Sequence, residues 1–298
     1  MCLHPLYIKG HRIPCGKCVE CVEKRARDWS FRAEQECSAS PLSLFLTLTY
    51  NEEHLPIIEG IPVLKPLDLQ LFFKRFRKQL DLLNVKLRYY AIGEYGPTTR
   101  RPHYHCLLHF SESVDYWSIR LLIAECWNFG FITCDICNIA RIRYCVGYMC
   151  PINELSDFYR RHPPFSRMSR SYGKQYLTPS RITYYKQLEN DSIGAPIVPW
   201  CYLSNKYKMA LPRYYRNRIY CASEKAALKY SFKDDIKRKE EDVYGKMLDA
   251  NKQLIRDYER ENKIDLNRLL HQLVWMDNRP SDSEIERRRQ KLIKKRKL

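Results

Sequence analysis

Two histidines separated by one residue, His103 and His105, are the first group in this sequence whose spacing could support chemistry. Alternate side chains of a β-strand share one face, so both imidazoles would point the same way and could bind a divalent metal. Glu94 and His109 compete as the third ligand. We favour Glu94, because two imidazoles with one carboxylate suit Mg²⁺ or Mn²⁺, whereas three imidazoles suit Zn²⁺. The histidine pair alone also fits a structural role.

Two tyrosines, Tyr144 and Tyr148, are four residues apart in a segment with helical character. On a helix both hydroxyls would lie on one face. A tyrosine can attack a DNA phosphodiester and become joined to the 5′ phosphate, and two such tyrosines allow alternating transfers. The chain has 22 tyrosines, so the pair alone fits the buried face of an aromatic-rich helix equally well.

A third group, of cysteines, lies near the N-terminus. Cys15, Cys18 and Cys21 are each three residues apart, and Cys2 or His4 could complete a set of four ligands. Such spacing in a reducing compartment predicts a structural Zn²⁺ site or, less commonly, an iron–sulfur cluster. The chain has 13 cysteines and no apolar secretory signal at its start, so we expect reduced thiols and a cytoplasmic location.

The charge balance points to a polyanionic partner. The chain has 52 Lys and Arg against 34 Asp and Glu, a net charge of +18, and its tyrosines alternate with basic residues. Phosphate contacts and base stacking make nucleic acid, especially single-stranded nucleic acid, the expected partner. Arg141 and Arg143 beside the tyrosine pair, and Arg213 and Arg216 in PRYYRNR, are candidate DNA-binding residues. No apolar run is long enough to predict a membrane span.

Residue periodicity predicts the elements that must position these groups. Strands are expected at 42–50, 87–93, 103–110 and 131–137, and helices at 66–84, 116–127 and 139–150. Residues 87–110 would form a hairpin that brings Glu94 towards the histidines. The pattern therefore predicts a mixed α and β fold.

The sequence is expected to divide into four segments. Residues 1–30 would be a Cys-rich metal-binding segment, 31–155 the catalytic core, 156–221 an aromatic and basic accessory region, and 222–298 a charged helix with a basic tail. Residues 169–185 could line a single-strand channel or form a solvated surface. The tail from 287 is expected to be mobile and could anchor DNA.

The order of the motifs resembles that of the HUH endonucleases: an apolar strand (FLTLTY), then HYH on a strand, then a tyrosine helix about 40 residues later. More widely, the chain resembles the replication initiators of gokushoviruses within the Microviridae. The matching stretches run from residue 1 to about 220 and include MCLHP, PCGKCVEC, RDW, FLTLTY, GEYG, RPHYHCLLHF, RYCVGYMC, SRSYGKQYL and LPRYYR.

This resemblance implies an α+β fold: a ferredoxin-like core whose central antiparallel sheet has flanking helices. It also implies an enzyme that nicks and rejoins single-stranded phage DNA through a 5′-phosphotyrosine, in a bacterial host, beside the host helicase and DNA polymerase. One departure is that related initiators commonly carry a Lys three residues after the nucleophile, where this chain has Gly147. Arg141 or Arg143 would then supply the charge.

Three other functions fit parts of the sequence. A non-catalytic single-stranded nucleic-acid-binding protein would use the same charge and aromatic residues. A plasmid or transposon relaxase of the same superfamily would share the chemistry but serve another replicon. A metal-dependent RNase would cleave RNA without a phosphotyrosine intermediate.

Overall fold

The strands and helices expected around HYH are present in the computed structural model, which describes residues 2–8, 11–96, 98–147, 157–190, 199–204, 206–226, 228 and 281–294. Contacts divide the chain into two units. One comprises Cys2–Tyr176 with Leu203–Tyr207 and Arg288–Leu298, and the other comprises Leu177–Tyr202 with Lys208–Arg287. The four sequence segments stay a prediction, since nothing in this division tests their boundaries.

The first unit contains most of the regular elements. In chain order they are β1 (Leu6–Ile8), β2 (His11–Ile13), α1 (Val19–Ser38), β3 (Leu42–Tyr50), β4 (Ile57–Ile58), β5 (Ile61–Pro62), α2 (Pro66–Leu82), β6 (Leu87–Tyr95), β7 (Pro102–Phe110), α3 (Tyr116–Cys126), β8 (Gly130–Ile136), α4 (Ile139–Gly147), α5 (Asp157–Arg161), β9 (Phe165–Met168) and a 3₁₀ turn, Lys174–Tyr176. The second unit contains α6 (Pro179–Asn190), β10 (Trp200–Tyr202), β11 (Lys208–Ala210) and α7 (Arg213–Ile219), and a further helix, α8, spans Asp282–Lys294.

Five of these strands form one antiparallel sheet, in the order β8–β3–β7–β6–β9. The HYH strand, β7, lies at its centre, with β3 and β6 on either side. Helices pack against this sheet, so the α+β prediction of a central antiparallel sheet with flanking helices is confirmed. None of the described helices is both long and apolar enough to cross a membrane.

One face of the sheet is an apolar core covered by α2 and α3. Helix α2 begins with Pro66 and buries one stripe of side chains at helical spacing, Leu69, Phe72, Phe73, Phe76 and Leu80. These side chains pack on alternate residues of the central strands, which include Leu44, Leu46, Leu48, Tyr50, Tyr104, Cys106, Leu108 and Phe110. This core fixes the strand register and therefore fixes which residues point to the other face.

The aromatic residue in the middle of HYH belongs to that core. Tyr104 is fully buried, and its hydroxyl lies 2.8 Å from the hydroxyl of Tyr50 and accepts a hydrogen bond from the backbone N–H of Lys65. Tyr50 in turn donates to Asp68 in the first turn of α2. Burial raises the pKa of Tyr104 to about 12, so this hydroxyl stays protonated. Tyr104 thus ties the metal-ligand strand to α2.

Helix α1 was not predicted, because its buried side chains include charged residues that break the apolar periodicity. Glu36 is fully buried and pairs with Arg88 on β6; one of the two hydrogen bonds, from Arg88 Nη2 to Glu36 Oε2, measures 3.2 Å. Glu36 also accepts hydrogen bonds from the backbone of Gly173 and from the side chain of Gln175. The SRSYGKQYL motif is therefore held against α1 and β6 by a buried carboxylate.

We expect Glu36→Ala to lower the free energy of unfolding by about 3 kcal/mol, because Arg88 loses its buried partner. Burial alone would raise the pKa of Glu36, but the hydrogen bond from Arg88 holds it below its usual value. The stabilisation is therefore present near neutral pH and is lost as the pH falls below about 4, the range in which an unfolded Glu takes up its proton.

Denaturant unfolding at pH 7 and at pH 3 tests this contribution. The exposed Glu112 provides the matched control, since Glu112→Ala should change stability by less than about 0.5 kcal/mol. If the two alanine variants unfold at the same denaturant concentration at pH 7, Glu36 does not stabilise the fold in this way.

Three further details differ from the sequence expectation. Strand β6 extends to Tyr95 and so includes Glu94. Cys137 follows the end of β8 and therefore does not alternate with Cys134 within a strand. The basic tail was expected to be mobile, but α8 reaches Lys294, and Arg288 donates to Glu20 on α1 at 2.6 Å. Most of the charged helix predicted at 222–263 lies outside the described residues.

Candidate functional site

The strand register places the candidate ligands in two rows across the sheet, on the face opposite the α2 core. His103 on β7 lies opposite Thr49 of β3 on one side and Glu94 of β6 on the other. His105 lies in the next row, opposite Thr47. The hairpin therefore brings Glu94 beside the histidine pair, as the sequence suggested.

Two threonines of the FLTLTY motif orient the imidazoles. The Thr47 hydroxyl lies 2.9 Å from Nδ1 of His105, and the Thr49 hydroxyl lies 3.5 Å from Nδ1 of His103. A hydroxyl on Nδ1 fixes the ring and leaves Nε2 as the nitrogen that can face a metal. The period of two in FLTLTY matches the period of two in HYH because paired strands share their alternation.

Glu94 and His105 are already in contact. Oε1 of Glu94 lies 3.0 Å from Nε2 of His105, and both side chains are buried. Two ligands of one divalent cation, each about 2.1 Å from it, would be separated by about 3 Å at a right angle, so this spacing fits a shared metal ion. The carboxylate and imidazole donors also fit the hard divalent cations expected from the sequence.

The third ligand candidate lies further away. The ring centroids of His103 and His105 are 6.3 Å apart, and the ligand atoms of Glu94 and the two histidines do not all lie within 4.8 Å of one another. Nε2 of His103 faces Gly96, where an added Cβ would lie only 3.0 Å from it. Metal binding by all three residues therefore requires the His103 ring to turn towards its partners.

The protonation state of His103 suits a ligand. Burial lowers the pKa of His103 to about 4, with nearby His105 and Arg101 acting in the same direction. The imidazole is therefore neutral near pH 7, and neutral imidazole is the form that binds metals.

His109, the competing third ligand, has both nitrogens engaged elsewhere. Nδ1 lies 2.8 Å from the hydroxyl of Ser43, and Nε2 lies 2.6 Å from the hydroxyl of Tyr172. The ring is 1% exposed, and burial lowers its pKa to about 4. His109 therefore serves the packing of the SRSYGKQYL segment, which favours Glu94 as the third ligand.

Helix α4 carries Tyr144 to the histidines. The helix begins after Asn138, whose side chain accepts a hydrogen bond from the backbone N–H of Arg141 and so caps it. Its buried residues Ile142, Cys145 and Val146 anchor it on the sheet. The Tyr144 ring then lies edge-on to His105, with ring centroids 5.4 Å apart. Tyr148 lies outside the described residues.

Phe45 holds this arrangement together. Its ring stacks on His105 with centroids 5.5 Å apart and an interplanar angle of 14°. The same ring meets Tyr144 edge-on at 6.0 Å. Phe45, the two threonines and the buried contact of His109 were not identified from the sequence. The alternation of polar residues in FLTLTY was the one signal that could have indicated the threonines.

The four candidate DNA-binding arginines differ in their surroundings. Arg141 is tied to the end of β8, since it pairs with Asp135 at 3.1 Å and donates to the carbonyl of Ile136. Arg143 is more exposed and lies 3.9 Å from Glu34. Arg213 is exposed and Arg216 half-buried on α7. Of the two beside Tyr144, Arg143 is better placed to supply the charge that Gly147 lacks.

The tyrosines of 169–185 are mostly internal, which corrects the idea that this stretch lines a channel with stacking rings. Tyr172 and Tyr176 are buried in the first unit, and Tyr185 is buried in the second. Tyr184, by contrast, is 55% exposed. Buried rings cannot stack on bases, so the interleaving of Tyr with basic residues reflected packing here.

The four N-terminal cysteines come together. One sulfur from each of Cys2, Cys15, Cys18 and Cys21 lies within 4.8 Å of the other three, and no other group of three or more potential metal ligands in the described residues is this close. The sulfurs of Cys2 and Cys18 are 3.8 Å apart. Tetrahedral Zn²⁺ with bonds of about 2.3 Å requires sulfurs about 3.8 Å apart. The cluster could therefore hold a metal ion.

Backbone hydrogen bonds prepare these sulfurs for a metal. The N–H of Cys15 donates to Cys2 at 3.2 Å, and the N–H of Leu3 donates to Cys18 at 3.4 Å. Burial would raise the pKa of Cys15, but hydrogen bonds from the backbone of Cys18 and Lys17 lower it to about 6. A lowered pKa favours the thiolate, which is the form that binds metals.

Comparison with known proteins gives a consistent result. Residues 43–151, which contain all the ligand candidates of the sheet and Tyr144, match the family model for the replication-associated protein ORF2. Replication-associated protein ORF2 of Spiroplasma virus 4 is 29% identical over 198 residues, covering 61% of this chain and 62% of that protein. Two further phage relatives show similar identity.

Replication-associated protein ORF4 of Chlamydia phage 1 is 26% identical, covering 57% of this chain and 49% of that protein. Replication-associated protein VP4 of Bdellovibrio phage phiMH2K is 28% identical, covering 76% and 73%. The chain thus spans only about half to two thirds of the first two relatives. A solved structure, the N-terminal nuclease domain of minute virus of mice non-structural protein-1, aligns over 62% of this chain and 73% of that chain at 12% identity, but its TM-score of 0.18 is too low to support an argument.

Proposed function

Because the chain is related to the replication-associated proteins of small phages, we propose that it nicks and rejoins single-stranded DNA at a phage origin to start rolling-circle replication. The observation that carries this proposal is the position of Tyr144, whose ring lies 5.4 Å from that of His105, which in turn contacts Glu94. A nucleophile beside a set of metal ligands is what phosphodiester cleavage by tyrosine requires.

In the proposed reaction the hydroxyl oxygen of Tyr144 attacks the scissile phosphorus. The new bond joins this oxygen to phosphorus, and the bond from phosphorus to the 3′ oxygen of the preceding nucleotide breaks. The tyrosine loses a proton and the leaving 3′ oxygen gains one, so the step is balanced. Rejoining is the reverse reaction, and Tyr148 would perform the second transfer.

The remaining residues position the reactants. Glu94, His103 and His105 would hold Mg²⁺ or Mn²⁺, and a cation bound there would polarise the phosphate and offset its developing charge. Thr47 and Thr49 hold the imidazoles in the tautomer that presents Nε2. Phe45 fixes the angle between His105 and Tyr144, and Arg143 would contact a DNA phosphate.

The cysteine cluster would hold a structural Zn²⁺ that folds the N-terminal segment. Host helicase and DNA polymerase would act on the nicked product, since the chain's proposed chemistry supplies only the 3′ hydroxyl that a polymerase extends. Arg213 and Arg216 on α7 would add non-specific phosphate contacts.

A labelled-DNA assay tests the proposed reaction. Single-stranded oligonucleotides tiled across the genome that encodes the chain would be labelled at either the 3′ or the 5′ end and incubated with Mn²⁺. We expect a covalent protein–DNA band that carries the 3′ label and lacks the 5′ label, because the tyrosine keeps the 5′ phosphate of the downstream fragment. Chelation of the metal should remove the band. DNA binding without any covalent band would instead support a non-catalytic binding protein.

We expect Thr47→Val to weaken Mn²⁺ binding by about tenfold to a hundredfold, because His105 loses the hydroxyl that orients its ring. Valine keeps the shape of threonine and suits a strand, so the fold should be retained. Isothermal titration with Mn²⁺ measures the effect. Thr133, which is exposed and lies opposite Thr47 on β8, provides the matched control. Equal affinities for Thr47→Val and Thr133→Val would rule out this role.

A further inference from the structure

The row of side chains that crosses the sheet at His103 ends in an exposed phenylalanine. Thr49 lies opposite His103 on one side and opposite Phe131 of β8 on the other, so the three side chains share the face that carries the candidate metal ligands. Because β8 is an edge strand, Phe131 lies at the border of that face.

The exposure of Phe131 contrasts with the rest of this face. Helices α1 and α4 cover the part around Phe45 and Leu107. At the other end of the face Phe131 is 68% exposed, and its strand neighbour Thr133 is also exposed. A large apolar ring is therefore held in solvent on an open, polar part of the sheet, next to the histidines.

The distance from Phe131 to the histidines fits a nucleotide next to the reacting one. Adjacent strands are about 4.8 Å apart, so two strand spacings separate Phe131 from His103 by about 10 Å. An aromatic ring can stack on any unpaired base, because every base presents a flat face. The stretch between them is lined by Thr49, whose half-buried hydroxyl leaves the path unobstructed.

We propose that Phe131 is a base-stacking residue, which binds an unpaired base next to the scissile phosphate and so positions the DNA strand across β8 and β3. This inference rests on the proposed function for the identity of the ligand, single-stranded DNA. It adds a binding subsite at the sheet edge that is separate from the arginine contacts with phosphate. The ring carries no charge, so its contribution to binding is independent of salt.

Variants of the full chain test the stacking. We expect Phe131→Ala and Phe131→Thr to weaken binding of a mixed-sequence single-stranded oligonucleotide by about tenfold to a hundredfold, and Phe131→Trp to restore it. Threonine keeps the strand preference of the position, which separates loss of the ring from loss of the strand. The dependence of affinity on salt should be unchanged, since no phosphate contact is removed. Fluorescence anisotropy at several salt concentrations measures both.

Trp117 provides the matched control. It is 65% exposed on α3, which packs on the opposite face of the sheet, so Trp117→Ala should leave DNA affinity unchanged. The inference is overturned if Phe131→Ala and Phe131→Thr bind DNA within twofold of the unaltered chain while their melting temperatures are also unchanged.

Photocrosslinking separates this inference from the proposed function. DNA containing 5-iodouracil crosslinks to aromatic residues that stack on it, and this reaction needs neither cleavage nor metal. Crosslinking at Phe131 without any covalent tyrosine adduct would support the stacking subsite and contradict the nicking reaction. A tyrosine adduct together with no crosslink at Phe131 at any oligonucleotide position would contradict the stacking subsite alone.

Discussion

Tyr144→Phe is expected to lower the rate of DNA nicking by at least about a thousandfold and to remove most of the covalent protein–DNA adduct. Phenylalanine keeps the ring that packs against Phe45 and His105 but has no oxygen to attack phosphorus. Metal binding and DNA binding should therefore be unchanged. Single-turnover nicking of 3′-labelled DNA measures the rate.

Any adduct that Tyr144→Phe still forms should be carried by Tyr148, so the double variant Tyr144→Phe/Tyr148→Phe should form none. Tyr184 provides a control, because it is 55% exposed and lies in the second unit. Tyr184→Phe should nick at the original rate. Unchanged nicking by Tyr144→Phe would show that this tyrosine is not the first nucleophile.

Cys18→Ser is expected to abolish Zn²⁺ binding by the N-terminal cluster and to unfold the segment that it holds. The hairpin of β1 and β2 exposes Leu6, Tyr7 and Ile8, and each is at least half exposed. So little apolar burial cannot order a short segment, and metal binding would supply the missing free energy. Metal analysis of the purified chain should fall from one Zn²⁺ to none.

Limited proteolysis reports the structural consequence. We expect trypsin to cleave within residues 1–25 of Cys18→Ser much faster than in the unaltered chain, while the sheet unit stays intact. Cys221→Ser is the control, because Cys221 is exposed and lies outside the cluster. Retention of a full equivalent of Zn²⁺ by Cys18→Ser would mean that the cluster does not bind the metal through this thiolate.

The sequence predicted much of the sheet and of its reactive face. Alternation in FLTLTY and HYH determined two central strands, and the hairpin between Glu94 and His103 followed from the turn residues between them. Helix α2 followed from its apolar stripe at helical spacing. These features were predictable because each depends on residues close together in the chain or on a simple period.

Features that depend on distant partners were not predictable. Helix α1 buries Glu34 and Glu36, whose hydrogen-bond partners include Ser204, 170 residues away, and Gly173, 137 residues away. Without those partners a charged residue indicates exposure. The same reason applies to Tyr172, which resembled a stacking residue but is buried against His109.

The resemblance to phage replication initiators is confirmed by the relatives, whereas the roles of individual residues stay proposals. His103 illustrates the difference. Its place in the register was predictable, but the direction of its ring towards Gly96 depends on local packing. A shift of one side chain separates the present arrangement from a complete set of three ligands.

Mapping the tyrosine that becomes joined to DNA tests the nicking reaction most directly. After reaction with single-stranded DNA and Mn²⁺, nuclease trimming would leave a nucleotide on the modified tyrosine, and trypsin would release residues 144–160, which contain Tyr144, Tyr148 and Tyr159. Fragment masses should place the nucleotide on Tyr144. A nucleotide on Tyr159, on a tyrosine outside this peptide, or on no residue at all would contradict the proposal that α4 carries the nucleophile to the His105–Glu94 site.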